Sequence, residues 1–356
     1  NSTQEYFDRL SMNIPKILYI GKHATLEWEE VSLFHELGCK IFSLHGAYSK
    51  PEGHPSLPRP GIPGLEYMPE IHRLAQASPS LNDIPWEIIE PFDVVIVTGG
   101  FHDTQVISNN WKKFNKKILV WRSIGQSNET TETMLTPYKA KGMKAVRYSP
   151  KERLIPNFMG EDAMIRFYKD PDEFANWNGN TVQIINVSQS LKGRSIFCHY
   201  QEIMDIFNNL PAKVYGTGNE DLGVFDGGDL SYHQLKEAYR DNRCFMYAGT
   251  WPAPYTLSLL ECLMTGMPVV TIGKEMAEKI PGVKKFEFFE VHELIKHGEI
   301  GGYVGNTVEE CRKYVELLLS DYSLAKKLGD MGRSFAISEF GRENIKLRWL
   351  EFLKSL

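Results

Sequence analysis

The chain has 356 residues, 42% of them hydrophobic and 24% charged, ordinary globular usage that excludes wholesale disorder and a fibrous repeat. At about 100–200 residues per domain this length predicts two domains, with a single large barrel as the main rival. Forty Lys and Arg against forty-five Asp and Glu leave a net charge of −5, which argues against a general nucleic-acid coat. The five cysteines (Cys39, Cys198, Cys244, Cys262 and Cys311) are scattered and never spaced C-x-x-C. Neither a disulfide framework nor a zinc site is expected, and a reducing, cytoplasmic compartment is the simpler reading. No apolar run reaches the roughly 18–20 residues of a membrane span. Asn1 stands where an initiator Met would, consistent with a start that is trimmed or preceded by something else.

In chain order, short β-branched runs alternate with helical stretches. Lys16 to Gly21 reads as a strand, Glu27 to Leu37 as a helix closed by Gly38, and Cys39 to Leu44 as a second strand. Lys50 to Asn82 holds seven prolines and reads as an inserted loop or lid. Asp93 to Gly100 and Lys117 to Trp121 are further strands. Strands separated by helices of about ten or more residues mean a parallel sheet with right-handed crossovers. Pro156 to Asn180, with two prolines and no sustained period, reads as a linker, after which the pattern restarts. Thr181 to Val187 is a strand, Tyr200 to Asn208 a helix, Ala212 to Gly216 a strand, and Ser231 to Tyr239 a helix. Cys244 to Tyr247, a helix near Leu257 to Thr265, and Pro268 to Ile272 complete the series. The expected class is α/β, two Rossmann-like doubly wound domains facing a cleft. The expected boundaries are 1–165, 166–340, and a last helix over 341–356 that returns to the first domain.

Ala248 to Val270 is the most informative stretch. A strand ends at Tyr247, a Gly/Pro loop follows, and a helix starts near Thr256. In an open α/β sheet, ligands sit beyond the carboxyl ends of the strands. The free amides of that helix start, with the positive end of its dipole, favour a phosphate. Glu261, about a turn and a half on, is suited to accept two ribose hydroxyls; a plain helix-surface carboxylate is the alternative.

This segment resembles the donor-site signature of GT-B glycosyltransferases, particularly retaining family 4, Glu-Gly-Phe-Gly-Leu-x-x-Leu-Glu-Ala-x-x-x-Gly-x-Pro-Val. Tyr255, Leu257, Leu260, Glu261, Gly266, Pro268 and Val269 fall on matching positions. Leu191-Lys192-Gly193 resembles the family's Lys-Gly element, Val214 to Gly218 its Gly-x-Gly turn, and Asp226 to Ser231 with Leu235 and Tyr239 the stretch bordering the base. Glu339 to Asn344 with Trp349 resembles the closing helix. The resemblance covers Val182 to Leu356; over the first half it is topological. It departs at Ala253, where the first acid of the Glu-x7-Glu pair belongs, and at Val187, where a basic residue belongs.

The resemblance implies transfer of a sugar from a nucleoside diphosphate sugar, a UDP-sugar among them, to an acceptor hydroxyl. The main protein task is stabilising the leaving diphosphate with positive charge and amide dipoles. Lys192 is the expected catalytic cation, with His102 and Asp103 as groups that orient the sugar or acceptor. Arg194, Gly216, Thr217, Tyr255, Thr256, Leu257, Ser258 and Glu261 are expected to bind the donor, and Trp251 to pack beside it or in the core. Lys22, His23, Arg122 and Gln126 are the acceptor-side candidates. No Asp-x-Asp stands where a metal clamp would, so no metal or other cofactor is expected. The acceptor is expected to be a glycan, a lipid-linked or a small molecule. Two basic stretches, Lys112 to Lys117 and Lys139 to Arg153, read first as solvated faces. Their sharper readings are an anionic membrane surface or a nucleic-acid acceptor such as a modified base. The rivals are a nucleotide-sugar epimerase on the same scaffold and a non-catalytic nucleotide-sugar-binding relative, kept open by Ala253.

Overall fold

The computed structural model describes residues 14–21, 23–44, 61–65, 68–100, 102–125, 127–279 and 288–356. The chain divides into two compact units, one running to Phe167 and including Ile345–Leu356, the other Tyr168–Asn344. Of the inserted segment expected over Lys50 to Asn82, residues 50–60 and 66–67 lie outside the described residues; its later part forms the helix Pro69–Ala77.

The first unit holds strands β1 (Ile17–Ile20), β2 (Ile41–Ser43), β3 (Val94–Gly99), β4 (Ile118–Ser123), β5 (Lys144–Arg147) and β6 (Ala163–Met164). Their order is β2-β1-β3-β4-β5-β6 and every pairing is parallel, with Ile17 opposite Val94 and Val94 opposite Ile118. Every residue of β1 and β3 is buried, as a sheet covered on both faces requires. Helices α1 (Ala24–Glu36), α2 (Pro69–Ala77), α3 (Thr104–Phe114) and α4 (Glu129–Ala140) cover it, with Leu18, Val97, Phe114, Trp121 and Leu135 in the core.

The second unit holds β7 (Thr181–Val187), α5 (Tyr200–Phe207), β8 (Ala212–Tyr215), β9 (Asp226–Gly228), α6 (Tyr232–Asp241) and β10 (Asn242–Tyr247). There follow α7 (Leu257–Thr265), β11 (Val269–Ile272), β12 (Gly302–Gly305), α8 (Val308–Ser320) and α9 (Tyr322–Phe340). The order β12-β11-β10-β7-β8-β9, again wholly parallel, is the doubly wound 3-2-1-4-5-6 arrangement read from the other edge. The last helix, α10 (Arg342–Ser355), belongs to the first unit from Ile345 on. There Trp349 is buried edge-on to Phe34 at 4.8 Å, and Lys346 Nζ lies 2.9 Å from Glu36 Oε1.

Strands β5, β6, β9 and β12 were not expected from the sequence; β6, only two residues long, lies in the stretch read as a linker. Glycines make up two of three residues in β9 and two of four in β12, and glycine weakens the strand signal. β5 lies inside a run read as a basic stretch, its arginine turned inward. The presumed linker is stapled in place: Arg333 donates to the carbonyls of Phe174 at 2.7 Å and Pro171 at 2.9 Å, and Trp177 Nε1 donates to Asn242 O at 2.7 Å.

Candidate functional site

In an all-parallel sheet the carboxyl ends of the strands share one edge, and ligands bind where the strand order reverses. In the second unit that point lies between β7 and β10. The loops that follow these strands carry Lys192 and Arg194 after β7, and the start of α7 after β10.

The loop after β7 is tied to the loop after β8. Ser188 N–H donates to Tyr215 O at 2.9 Å, and Ser190 N–H to Thr217 O at 2.8 Å. Asn219, only 1% exposed, donates through Nδ2 to Ser188 O at 2.7 Å and Gly216 O at 3.0 Å, and accepts from Leu191 N–H at 2.9 Å. No motif in the sequence marked Asn219; an amide with both donor and acceptor ends is what two crossing loops need. Gly216 has φ of 143°, and a Cβ there would collide with the Ser188 carbonyl oxygen, so the crossing admits no side chain. Ser190, Ser195 and His199 all have positive φ, a local cost of about 1–3 kcal/mol each that concentrates at functional loops.

Held this way, Lys192 is exposed, with no hydrogen bond or ion pair among the described residues. Arg194 is half-buried, its Nε donating to Gln189 O at 2.7 Å. Thr217 Oγ1 donates to Asp229 Oδ2 at 2.9 Å.

Thr256 takes the cap position of α7, but its own side chain makes no capping bond. The Tyr247 hydroxyl instead accepts the Thr256 N–H at 3.0 Å and lies 2.9 Å from Thr256 Oγ1, which is 3.1 Å from Ser258 Oγ. Burial pushes the Tyr247 phenol up, so it stays protonated. Leu257 and Ser258 open the helix, and their N–H groups have no intrahelical acceptor. Behind them Leu259 to Thr265 are all buried, and Gly266, at φ 91°, ends the helix in the left-handed conformation that costs other residues about 1–2 kcal/mol. Tyr255 is corrected: its side chain is buried, edge-on to Phe340 at 5.4 Å, and leaves only its backbone for a donor. Half-buried Trp251 packs on Phe197 at 5.7 Å, and Ala253 places a methyl group in the loop.

Glu261 is 5% exposed rather than on the helix surface. Its Oε1 accepts from the Tyr239 hydroxyl at 3.1 Å, and its Oε2 lies 3.2 Å from Lys169 Nζ. Lys169 was missed by the sequence reading, because it lies in the linker 92 residues from its partner.

The first-unit candidates follow β1, β3 and β4. Strand order reverses between β1 and β3, so His23, His102 and Asp103 stand at the corresponding switch point. Lys22 and Gln126 lie outside the described residues. His23 is exposed, and its Nδ1 accepts the Leu26 N–H at 3.2 Å as the cap of α1. His102 is exposed; Asp103 is buried, its Oδ2 accepting the Gly100 N–H at 2.9 Å. Arg122 is corrected as an acceptor residue. It is wholly buried, paired with Glu30 Oε2 at 3.0 Å, and it donates to Ile165 O at 2.6 Å and Arg147 O at 3.2 Å.

The basic stretches do not make charged faces of one kind. Lys139 pairs with Asp162, Arg153 with Glu161, and Arg147 is buried against Glu132. In the other stretch Lys113 pairs with Asp83, and Lys117 donates to Glu90 O. No described helix is long and apolar enough to cross a membrane.

No family model matches the chain, and no curated protein sequence matches it. Solved structures do. Anabaena HepE in complex with UDP-glucose superposes with a TM-score of 0.67 at 12% identity, covering 96% of this chain and 100% of that one. Sucrose-phosphate synthase from Thermosynechococcus elongatus gives 0.64 at 12% identity over 96% and 98% of the two chains. A glycosyltransferase from Rickettsia africae gives 0.64 at 16% identity over 96% and 98%. The fold is GT-B. Such identities speak for the GT-B architecture alone; the chemistry rests on the residues.

Proposed function

We propose that this GT-B chain is a glycosyltransferase that moves a sugar from a UDP-sugar to an acceptor hydroxyl. The observation that carries the reading is the switch point of the second unit. An open helix start and an uncommitted lysine suit a diphosphate, and a carboxylate follows on the same helix for the ribose. HepE, of the same fold, was crystallised with UDP-glucose, which makes UDP the first nucleotide to test.

In the proposed step the bond from the anomeric carbon to the diphosphate oxygen breaks, and the acceptor oxygen bonds that carbon on the same face. The acceptor proton passes to the departing phosphate. Lys192, Arg194 and the amides of Leu257 and Ser258 stabilise the negative charge that grows on the diphosphate, without a metal. His102 and Asp103 are the proposed acceptor-orienting groups, and glycans the proposed acceptor class. Retention is proposed because the donor motif resembles the retaining type.

Ala253 favours a second reading, a non-catalytic nucleotide-sugar binder, since only a methyl group stands where a carboxylate would approach the sugar. Turnover of UDP-sugars with and without acceptors, in excess chelator and with the product anomer read by NMR, decides between the readings. Transfer with retention supports the proposal; strict dependence on manganese or magnesium removes the metal-free clamp. An inverted product abolished by replacing His102 or Asp103 would make that residue the general base. Binding without turnover across a broad acceptor screen favours the second reading. Lys192→Ala is expected to lower kcat by about 10²–10³ while weakening UDP binding less, because the charge it faces grows in the transition state. Glu261→Ala is expected to weaken UDP binding in a folded protein, and Glu261→Gln to do so more mildly.

A further inference from the structure

Lys169 has no exposed surface, and its ammonium lies 3.2 Å from Glu261 Oε2 with the Phe174 ring at 5.3 Å. Its backbone is fixed, with its N–H donating to Phe340 O at 3.1 Å and the residue bridged in parallel to Gly341. Tyr239 donates to the other oxygen of the same carboxylate. An ionised carboxylate offers about four acceptor positions. Lys169 and Tyr239 use one each, which leaves about two, the number a ribose needs for its vicinal hydroxyls.

We propose that Lys169 is a positioning residue for ribose recognition, holding Glu261 ionised and oriented so that its remaining lone pairs receive the two hydroxyls of a bound nucleotide. This rests on the reading of Glu261 as the ribose ligand. A buried carboxylate deprived of its cation takes up a proton more readily, and a protonated one presents a donor in place of acceptors. Burial keeps the neighbouring Tyr239 phenol and the Cys262 and Cys244 thiols protonated across neutrality. It pushes up Tyr239 on α6, with Tyr232 behind it, and Cys262 on α7, and raises Cys244 on β10 to about 12. Arg333 on α9 is bound to the carbonyls of Phe174 and Met264.

The test compares UDP with 2′-deoxy-UDP by calorimetry from about pH 6 to pH 8.5, in the wild type and in Lys169→Met. The terminal phosphate titrates in both ligands, so the ratio of their affinities isolates the sugar contact. Wild type should prefer UDP by about tenfold or more at every pH, the worth of a hydrogen bond to a charged group. In Lys169→Met the ratio should fall towards one at the acid end and recover at the alkaline end. Lys169→Arg, which keeps the charge and covers the case of a Met variant that does not fold, should show a ratio independent of pH. A Met variant with the wild-type ratio at every pH, a ratio lost equally at every pH, or an Arg variant whose ratio follows pH would overturn the proposal. A wild type that binds UDP and 2′-deoxy-UDP equally, or neither, would instead overturn the reading of Glu261 itself.

Discussion

In the first unit, Arg122 and Arg147 have no exposed surface, and each is closed against a carboxylate from a helix, Glu30 on α1 and Glu132 on α4. In the second, Lys192 stands exposed in its loop, and the buried cation Lys169 meets Glu261, a carboxylate midway along α7 that keeps a small exposed edge. Both sheets are six-stranded and parallel, so the difference lies in the use of charge. Arg147 makes a double contact with Glu132, at 2.6 and 3.0 Å, and also donates to Gly160 O. Arg122 spends its donors on Glu30 and two carbonyls. With no exposed surface, neither guanidinium is open to a ligand. Ion pairs of this kind brace a fold, whereas unspent donors and lone pairs at a switch point mark where a ligand can be held.

The contrast can be broken most directly at Arg122. Arg122→Ala leaves Glu30 as a buried unpaired charge and is expected to cost about 3–5 kcal/mol in urea unfolding. Arg122→Met combined with Glu30→Gln should recover much of that, because the pair is removed together. If Arg122→Ala instead kept wild-type stability and lost transfer, Arg122 would belong with the ligand groups after all.

Glu27 sharpens the same comparison through pH. It lies on the first turn of α1, buried, with Ser43 donating to its Oε1. Burial raises its pKa from 4.5 to about 7, with the Ser43 bond pulling the other way. The folded chain therefore holds a proton that the unfolded chain has lost between about pH 4.5 and 7. Stability should fall as pH rises through that window, by up to about 3 kcal/mol, and level off above it. Glu27→Gln, which keeps an acceptor for Ser43, should remove this slope and make the protein more stable at about pH 8. Unfolding of both proteins at about pH 5 and pH 8 reads the effect; a slope that survives in Glu27→Gln assigns it to another group.

These buried charges also mark the limit of what the sequence could reveal. The apolar strands Ile17–Ile20, Val94–Gly99 and Val269–Ile272 were legible because a run buried on both faces admits little else. The start of α7 was legible because Thr256 and Gly266 bracket it with local chemistry. Arg147 and Arg122 look like surface residues in one dimension, since charge alone does not say which way a side chain turns. Lys169, Asn219 and the Tyr247 hydroxyl escaped for a related reason. Each is defined by a partner that only the three-dimensional crossing of loops supplies.

Tyr247 offers the smallest expected effect and the finest distinction. Its hydroxyl does the work that the Glu or Gln of a capping box normally does at a helix start, receiving the N–H of the cap residue Thr256, and it also meets the Thr256 hydroxyl. Tyr247→Phe keeps the ring stacked on Phe289 and removes only these bonds. The cost in stability should be about 1 kcal/mol, at the low end for a lost partner, because half-buried Thr256 can turn to water. Its consequence for binding separates two uses of the helix start. If the Leu257 and Ser258 amides hold the diphosphate, the phenol serves to keep the preceding residue from swinging across them. UDP affinity should then fall several-fold while uridine affinity stays the same. A parallel loss for UDP and uridine would mean that Tyr247 merely supports the loop as a whole.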